Sequence, residues 1–287
     1  MEFSKAIWLN GVLVHPDAAM ANIFSHGLHY GTTVFEGERI YQGKVFRLTD
    51  HSARLLKSAE LLGFEIPYSV KEINQATQDL VTKLQIKQGY VRPVAWLGEE
   101  SLALMPDANK VNVAIAAWDW PDLFDQEKRQ LGVRLGFTKW IKHHPEAVPV
   151  AAKAGGNYLN SCLALSDVRA RGFDEALMLD YEGYIAEATG ANIFFVKGER
   201  LITPQADRFL NGITRQTVCH IAETLGLVIE EKRINVSELE QFDGAFLCGT
   251  AYEILPVRHI DQYQYEIPQL TQLIINNYQA LCNQGWD

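Results

Sequence analysis

The sequence predicts an α/β (α+β) protein built as two domains. Three observations predict it. The chain has 287 residues, and one domain takes roughly 100–200. Strand-like apolar runs alternate with helical periodicities through both halves. Residues 119–129 carry Pro121 and lose periodicity, which marks a linker. The expected division is a smaller domain over 1–120, a linker over 121–131 and a larger domain over 132–287.

The elements follow in order. Ala6–Leu9 and Val12–Val14 flank Asn10-Gly11, a tight hairpin. Val34–Tyr41 and Val45-Phe46 flank Gln42-Gly43, a second hairpin. A helix is expected from about Asp50 to Leu62, capped by Thr49 or Asp50. Leu55, Leu56, Ala59 and Leu62 form its apolar stripe, and Gly63 ends it. Ser69-Val70-Lys71-Glu72 is a capping box that opens a helix to about Lys87. Tyr90–Leu97 and Val111–Trp118 read as strands. In the second half, strands are expected at Val133–Phe137, Ala176–Asp180, Asn192–Val196, Val228–Arg233 and Gly244–Cys248. Helices are expected at Tyr158–Arg171 and Thr214–Leu225, with a last one carrying Leu270, Ile274, Tyr278 and Leu281 on one face.

Composition excludes several classes. At 47% hydrophobic and 21% charged residues, the chain has ample apolar content for a core and is not disordered. Its 26 basic and 35 acidic side chains give a net charge of −9, without the basic footprint of a nucleic-acid binder. No apolar run approaches the roughly 18 residues that span a bilayer, and Asn10-Gly11 interrupts any leader-like segment. Cys162, Cys219, Cys248 and Cys282 form no Cys-x-x-Cys pair and read as reduced thiols of a cytoplasmic enzyme.

No dinucleotide, P-loop, nucleophile-elbow or zinc-protease motif is present. His26 and His29 are three apart without a second ligand pair, so no metal is expected. Lys153 lies among small and apolar residues (Val148-Pro149-Val150-Ala151-Ala152-Lys153-Ala154-Gly155-Gly156). Poor solvation there disfavours the ammonium, and a neutral amine condenses with an aldehyde. The same context also suits a surface lysine on a flexible loop. Glu187 sits in an uncharged stretch and needs a partner if buried, such as a protonated pyridine nitrogen; a loop glutamate at a turn is the other reading. Asn211-Gly212-Ile213-Thr214-Arg215 opens a helix whose N–H groups suit a phosphate, or is an ordinary glycine turn with a threonine cap. Cys248-Gly249-Thr250-Ala251 is a similar strand-end turn. Arg54 borders its helix's apolar stripe and is either an anion ligand or a solvated residue. Arg92 lies mid-strand between Val91 and Pro93, which argues against a purely solvated role.

Together these pieces resemble the class IV, fold-type-IV pyridoxal-phosphate aminotransferases. The family pattern starts at Glu187 and runs through Asn192-Ile193-Phe194, Leu201-Ile202-Thr203 and Leu210-Asn211-Gly212-Ile213-Thr214-Arg215. Within the family the chain most resembles branched-chain amino-acid aminotransferases. That likeness rests on Ser25-His26-Gly27-Leu28-His29-Tyr30-Gly31, Val34-Phe35-Glu36-Gly37, Tyr90-Val91-Arg92-Pro93, residues 151–159 and Gly249-Thr250-Ala251-Tyr252-Glu253-Ile254. Two positions depart from the pattern: the loop Gly98-Glu99-Glu100-Ser101-Leu102-Ala103-Leu104, and Ala191, where many members have glutamate.

The resemblance implies a two-domain, D-amino-acid-aminotransferase-like fold holding pyridoxal 5'-phosphate between the domains. It makes Lys153, carried by the larger domain, the Schiff-base lysine and proton shuttle, and Glu187 the partner of the pyridine nitrogen. Arg54, Ile213, Thr214 and Thr250 take the phosphate, and Tyr158 the ring hydroxyl. Tyr90 and the backbone of Thr250 and Ala251 take the α-carboxylate. Arg92 and Tyr30 take the distal carboxylate of glutamate, and Phe35 lines the side-chain pocket. The implied reaction is transamination between branched-chain L-amino acids and 2-oxoglutarate. A D-amino-acid or (R)-amine transaminase, and an aminodeoxychorismate-lyase-like enzyme, use the same apparatus. The partners implied are amino acids, 2-oxo acids and further copies of the chain, as a homodimer or larger homo-oligomer.

Overall fold

The computed structural model describes residues 4–106, 108–120 and 123–286. The chain forms two compact units. The first lies within Met1–Pro121, Ala152–Asn157 and Gly285–Asp287, and the second within Asp122–Ala151 and Tyr158–Gln284.

The first unit holds β1 (Ile7–Leu9), β2 (Val12–Val14), α1 (His26–Tyr30), β3 (Thr33–Phe35), β4 (Glu38–Tyr41), β5 (Lys44–Val45), α2 (Leu48–Leu61), α3 (Val70–Leu84), β6 (Gln88–Leu97) and β7 (Val111–Asp119). Its strands form one antiparallel sheet in the order β2-β1-β7-β6-β4-β5, with β3 also on β6. The Asn10-Gly11 hairpin forms as expected, with Leu9 opposite Val12. The expected strand Val34–Tyr41 is interrupted. β3 and β4 keep one register on β6, Phe35 opposite Val94 and Glu38 opposite Val91. At the break Glu36 N donates to Pro93 O at 2.9 Å, and Pro93 has no N–H to return.

The Ser69–Glu72 capping box opens α3 as its spacing implies. The start of α2 differs. Arg47, with φ 53°, precedes it, and Thr49 and Asp50 lie inside the first turn. There Asp50 accepts a hydrogen bond from Arg47 Nε at 2.6 Å, and acidic residues suit first turns as well as caps. Leu55, Ile73 and Leu80 from the two helices are fully buried against Ile40, Val91 and Ile115 of the sheet. Truncating such a residue to Ala costs about 2–5 kcal/mol.

The second unit holds α4 (Gln126–Leu131), β8 (Val133–Phe137), α5 (Tyr158–Arg169), β9 (Glu175–Leu179), β10 (Ile185–Ala188), β11 (Asn192–Lys197), β12 (Arg200–Pro204), α6 (Ile213–Thr224), β13 (Val228–Lys232), β14 (Gly244–Gly249), β15 (Glu253–Ile260), β16 (Tyr263–Gln264) and α7 (Gln269–Gln284). The sheet runs β10-β9-β8-β15-β14-β11-β12-β13, with β16 on β15. β8 is parallel to both neighbours and β12 to β13; the other pairs are antiparallel. Its core is built from Leu135, Leu177, Ile193, Leu247 and Leu255. Ile274 and Tyr278 of the predicted α7 face are buried, while Leu270 and Leu281 are half-buried beside buried Thr271 and Cys282.

Three strands carry no strong sequence signal. β10 is short and holds Glu187, β12 ends on Pro204, and the alternation of β15 is broken by Pro256, Arg258 and His259. Of the expected linker, residues 121 and 122 lie outside the described residues, and 126–131 form α4, capped by Asp125 Oδ1 accepting from Lys128 N at 2.8 Å. A six-residue helix is too short to show a period. The segment with Lys153 packs with the first unit rather than with 132–287. Ala154 bridges Val34, and Lys153 N donates to Ser58 Oγ at 3.0 Å. No helix among the described residues is long and apolar enough to cross a membrane.

Candidate active site

Strand alternation sorts the first unit's candidates into two faces. Directly paired residues share a face, so Phe35, Tyr90 and Arg92 project one way, and Glu36, Glu38 and Ile40 project toward α2. On the first face the Arg92 guanidinium stacks over Phe35 at 4.8 Å and lies 5.5 Å from the Tyr90 ring. Tyr90 is buried and packs edge-on against Trp120 at 4.3 Å. Gly37 is required beside it, because a Cβ there would come within 1.9 Å of Tyr90 Oη. Lys153 joins this face. Its carbonyl accepts from Phe35 N at 3.1 Å, and Nζ lies 4.8 Å from the Phe35 ring centre.

On the α2 face, Arg54 is not a solvated residue. Nε and Nη2 donate to Glu36 Oε1 and Oε2 at 2.6 and 2.8 Å, a bidentate fork on a fully buried carboxylate. His51 Nδ1 lies 2.6 Å from the same Oε2. Burial alone pushes the Glu36 carboxyl up, but the charges and hydrogen bonds of Arg54 and His51 more than offset it and hold the group well below the usual carboxylate range. Burial lowers His51, with Glu36 opposing. Glu38 is also fully buried, and neither of its oxygens has a hydrogen-bond partner among the described residues. Burial, then the charge of Glu36, pushes its carboxyl well above the ordinary value.

Tyr30 stands apart from this group. It is 47% exposed and its hydroxyl donates to Leu102 O at 3.1 Å. The histidine pair is used by the chain: His26 lies 2.7 Å from Thr32 Oγ1 and 3.0 Å from Ala103 O, and His29 2.8 Å from Ile23 O.

The second unit gathers the others. Glu187 on β10 is buried, with Oε1 2.7 Å from Lys142 Nζ and Oε2 accepting from Asn192 Nδ2 at 2.9 Å. Asn192 extends the chain of contacts. Its Oδ1 accepts from Gly212 N at 3.1 Å, at the N-cap of α6. That cap is Gly212, not Thr214, and makes no side-chain hydrogen bond, so Ile213 and Thr214 open the helix with the positive end of its dipole. Asn192 also pairs with Cys248, which brings β14 and the Gly249–Glu253 turn alongside. Thr250 and Ala251 form the tip of that turn, half-buried, closed by Tyr252 N donating to Gly249 O at 3.0 Å. Tyr158 is the first residue of α5.

The sequence reading missed Glu36 as the partner of Arg54, His51 as a second partner of Glu36, and Lys142 and Asn192 as those of Glu187. Asn192 and Glu36 stood inside quoted motifs, and Glu187's uncharged surroundings called for a partner. Nothing marked Lys142, which lies in a loop without periodicity.

The amino-transferase class IV family model matches residues 33–260. The chain belongs to the class IV aminotransferases. It is 44% identical over 256 residues to a probable branched-chain-amino-acid aminotransferase of Rickettsia conorii, covering 89% of this chain and 87% of that one. Its fold matches the crystal structure of the Escherichia coli branched-chain amino acid aminotransferase with a TM-score of 0.95 at 35% identity, over 99% of this chain and 96% of that one. It also matches the T.th. branched-chain enzyme complexed with N-(5'-phosphopyridoxyl)-L-glutamate, with a TM-score of 0.92 at 36% identity, over 98% and 95%. This aminotransferase thus has the class IV fold of mixed helix and sheet that the resemblance implied.

Proposed function

We propose that this aminotransferase holds pyridoxal 5'-phosphate and moves the amino group between branched-chain L-amino acids and 2-oxoglutarate, giving branched 2-oxo acids and L-glutamate. The carrying observation is the placement of Lys153. A backbone bridge to β3 and a hydrogen bond to α2 fix its Cα, and Nζ lies against the Phe35 ring.

The donor set fits the cofactor. Arg54 offers charge, and the α6 start offers N–H groups and a dipole without a side-chain cap, both suited to phosphate with Thr250. Buried Glu187 suits a protonated ring nitrogen, and Tyr158 the ring hydroxyl. The phosphopyridoxyl group in the T.th. structure supports the assignment. When bound, pyridoxal phosphate supplies an aldehyde that links to an amine and a ring that takes up the electron pair left at Cα.

The chain's own groups do the rest. Lys153 Nζ takes the Cα proton as general base and returns a proton as general acid. Tyr90 and the Thr250 and Ala251 backbone grip the α-carboxylate. A cavity of about 400 Å³ on the Arg92 face is lined by Ile7, Leu9, Val94 and Trp96, with Arg92 its one charged lining residue among the described residues. An apolar wall with a single cation suits both an aliphatic side chain and, with Tyr30, the distal carboxylate of glutamate. Phe35 lines the same face.

Exposed Met20, Ile23, Phe24, Leu28, Leu104 and Met105 supply an apolar surface for self-association as a homodimer or larger homo-oligomer. The four cysteines, none of them in a disulfide among the described residues, support a cytoplasmic setting.

The test assays both leucine enantiomers with 2-oxoglutarate. Glutamate formed from L-leucine supports the reading. Turnover of D-leucine alone points to a D-amino-acid transaminase, and pyruvate release from aminodeoxychorismate to a lyase.

A further inference from the structure

Glu175 begins β9 and is 2% exposed, and no ligand role falls to it. Both of its carboxylate oxygens are engaged by residues that closely follow site residues in the chain. Thr189, two residues after Glu187, donates to Oε1 from Oγ1 at 2.6 Å and from N at 3.4 Å. Tyr252, next after Ala251, donates from its hydroxyl to Oε2. Burial, then the charge of Glu175, pushes the Tyr252 phenol well above its ordinary value, so the hydroxyl keeps the proton it donates.

The two segments also touch backbone to backbone. A Cβ at Gly249 would meet Gly190 O at 3.2 Å, and one at Gly190 would meet Tyr252 Oη at 3.3 Å. On its far side the Gly249–Glu253 turn is tied by Arg129, whose Nη1 donates to Tyr252 O at 3.3 Å and lies 3.8 Å from Glu253 Oε2.

The geometry points to Glu175 as a positioning residue that couples the Glu187 strand to the Thr250–Ala251 turn through Thr189 and Tyr252. A buried carboxylate satisfied by hydroxyls from both segments holds them in one register. N–H groups fixed in advance bind a carboxylate without first being ordered. This role rests on the proposed function, in which Thr250 and Ala251 grip the α-carboxylate.

The test uses the pyridoxal-phosphate-loaded protein and 4-methylpentanoate, the leucine skeleton without its amine. Binding is followed by the change in visible absorbance for wild type, Tyr252→Phe, Glu175→Gln and the double variant. Leucine KM, kcat and thermal melting are measured alongside. Tyr252→Phe removes one hydroxyl and keeps the ring. Each single variant is expected to bind about five- to tenfold more weakly. Leucine KM rises by the same factor and the melting temperature falls by roughly a few degrees, while kcat holds. The double variant binds no more weakly than the weaker single. Thr189→Ser, which keeps the hydroxyl, binds as wild type does. Unchanged binding in Tyr252→Phe, additive losses in the double variant, or a loss confined to melting temperature overturns the coupling and leaves the transamination reading standing. A wild type that neither gains visible absorbance with pyridoxal phosphate nor turns over leucine overturns both.

Discussion

Lys142 Nζ lies 2.7 Å from Glu187 Oε1, so the carboxylate assigned to the ring nitrogen already has a cation supplied by the chain itself. The two side chains are only 14% and 10% exposed. A buried carboxylate without a counter-charge is costly, and Lys142 supplies that charge. Lys142→Met is expected to destabilise the cofactor-free protein by about 1–3 kcal/mol. The loaded protein loses less, because a protonated ring nitrogen replaces the ammonium. Thermal melts of both forms check this, and equal losses in the two would contradict it.

Arg54 is held ready by Glu36 through two of its N–H donors. Arg54→Ala removes the charge offered to the phosphate, a loss of about 1.5–3 kcal/mol for hydrogen bonds to a charged group. Pyridoxal-phosphate affinity is expected to fall by roughly ten- to a hundredfold. Titration of cofactor-free protein, read by fluorescence, measures it. Wild-type affinity in the variant would remove Arg54 from the phosphate site.

Three buried groups beside Arg54 set the pH response. Glu36 is held low, so its contribution to stability is present above the unfolded value near ~4.3 and is lost as pH falls through the depressed one. His51 is lowered by burial, so its contribution declines as pH falls below ~6.5. Glu38 is raised by burial, then by Glu36, and has the opposite sign. Its contribution is present below ~4.3 and is lost as pH rises toward the raised value. Glu38→Gln mimics the protonated form. In urea denaturation the variant is expected to match wild type near about pH 4 and to exceed it by a growing margin toward about pH 8. The same gap at both ends would show that Glu38 does not hold its proton in the fold.

Gly37→Ala places a methyl group where Tyr90 Oη stands. Either the tyrosine or the strand must shift, so leucine KM is expected to rise at least about tenfold, consistent with losses of 1–3 kcal/mol on overpacking. The fork of Arg54 on Glu36 lies on the opposite face, so cofactor affinity changes much less. Steady-state kinetics with a cofactor titration separates the two effects, and equal losses in both would contradict the division into faces.

How much of this was legible depends on range. The Ser69–Glu72 capping box, the Asn10-Gly11 hairpin and the strand Val133–Phe137 are local signals, and each forms where its residues stand. α4 and β10 are too short to carry a period, and Arg47 starts α2 from a left-handed conformation that Thr49 and Asp50 conceal. The site was legible as motifs rather than as contacts. Lys153, Glu187 and the 211–215 turn stand out by their neighbours in the chain. The partners of Arg54 and Glu187 come from elsewhere in the sequence, so pairing of His51 with Glu36, or of Lys142 with Glu187, has no local signature.

The central claim is that Lys153 carries the transamination. Its most direct test is glutamate production from L-leucine and 2-oxoglutarate by wild type and by Lys153→Ala, each with pyridoxal phosphate and each scanned for visible absorbance. Wild type is predicted to turn over and to show the absorbance of a lysine-linked pyridoxal, and Lys153→Ala to show neither while melting as a folded protein. Wild-type turnover in Lys153→Ala would contradict the account.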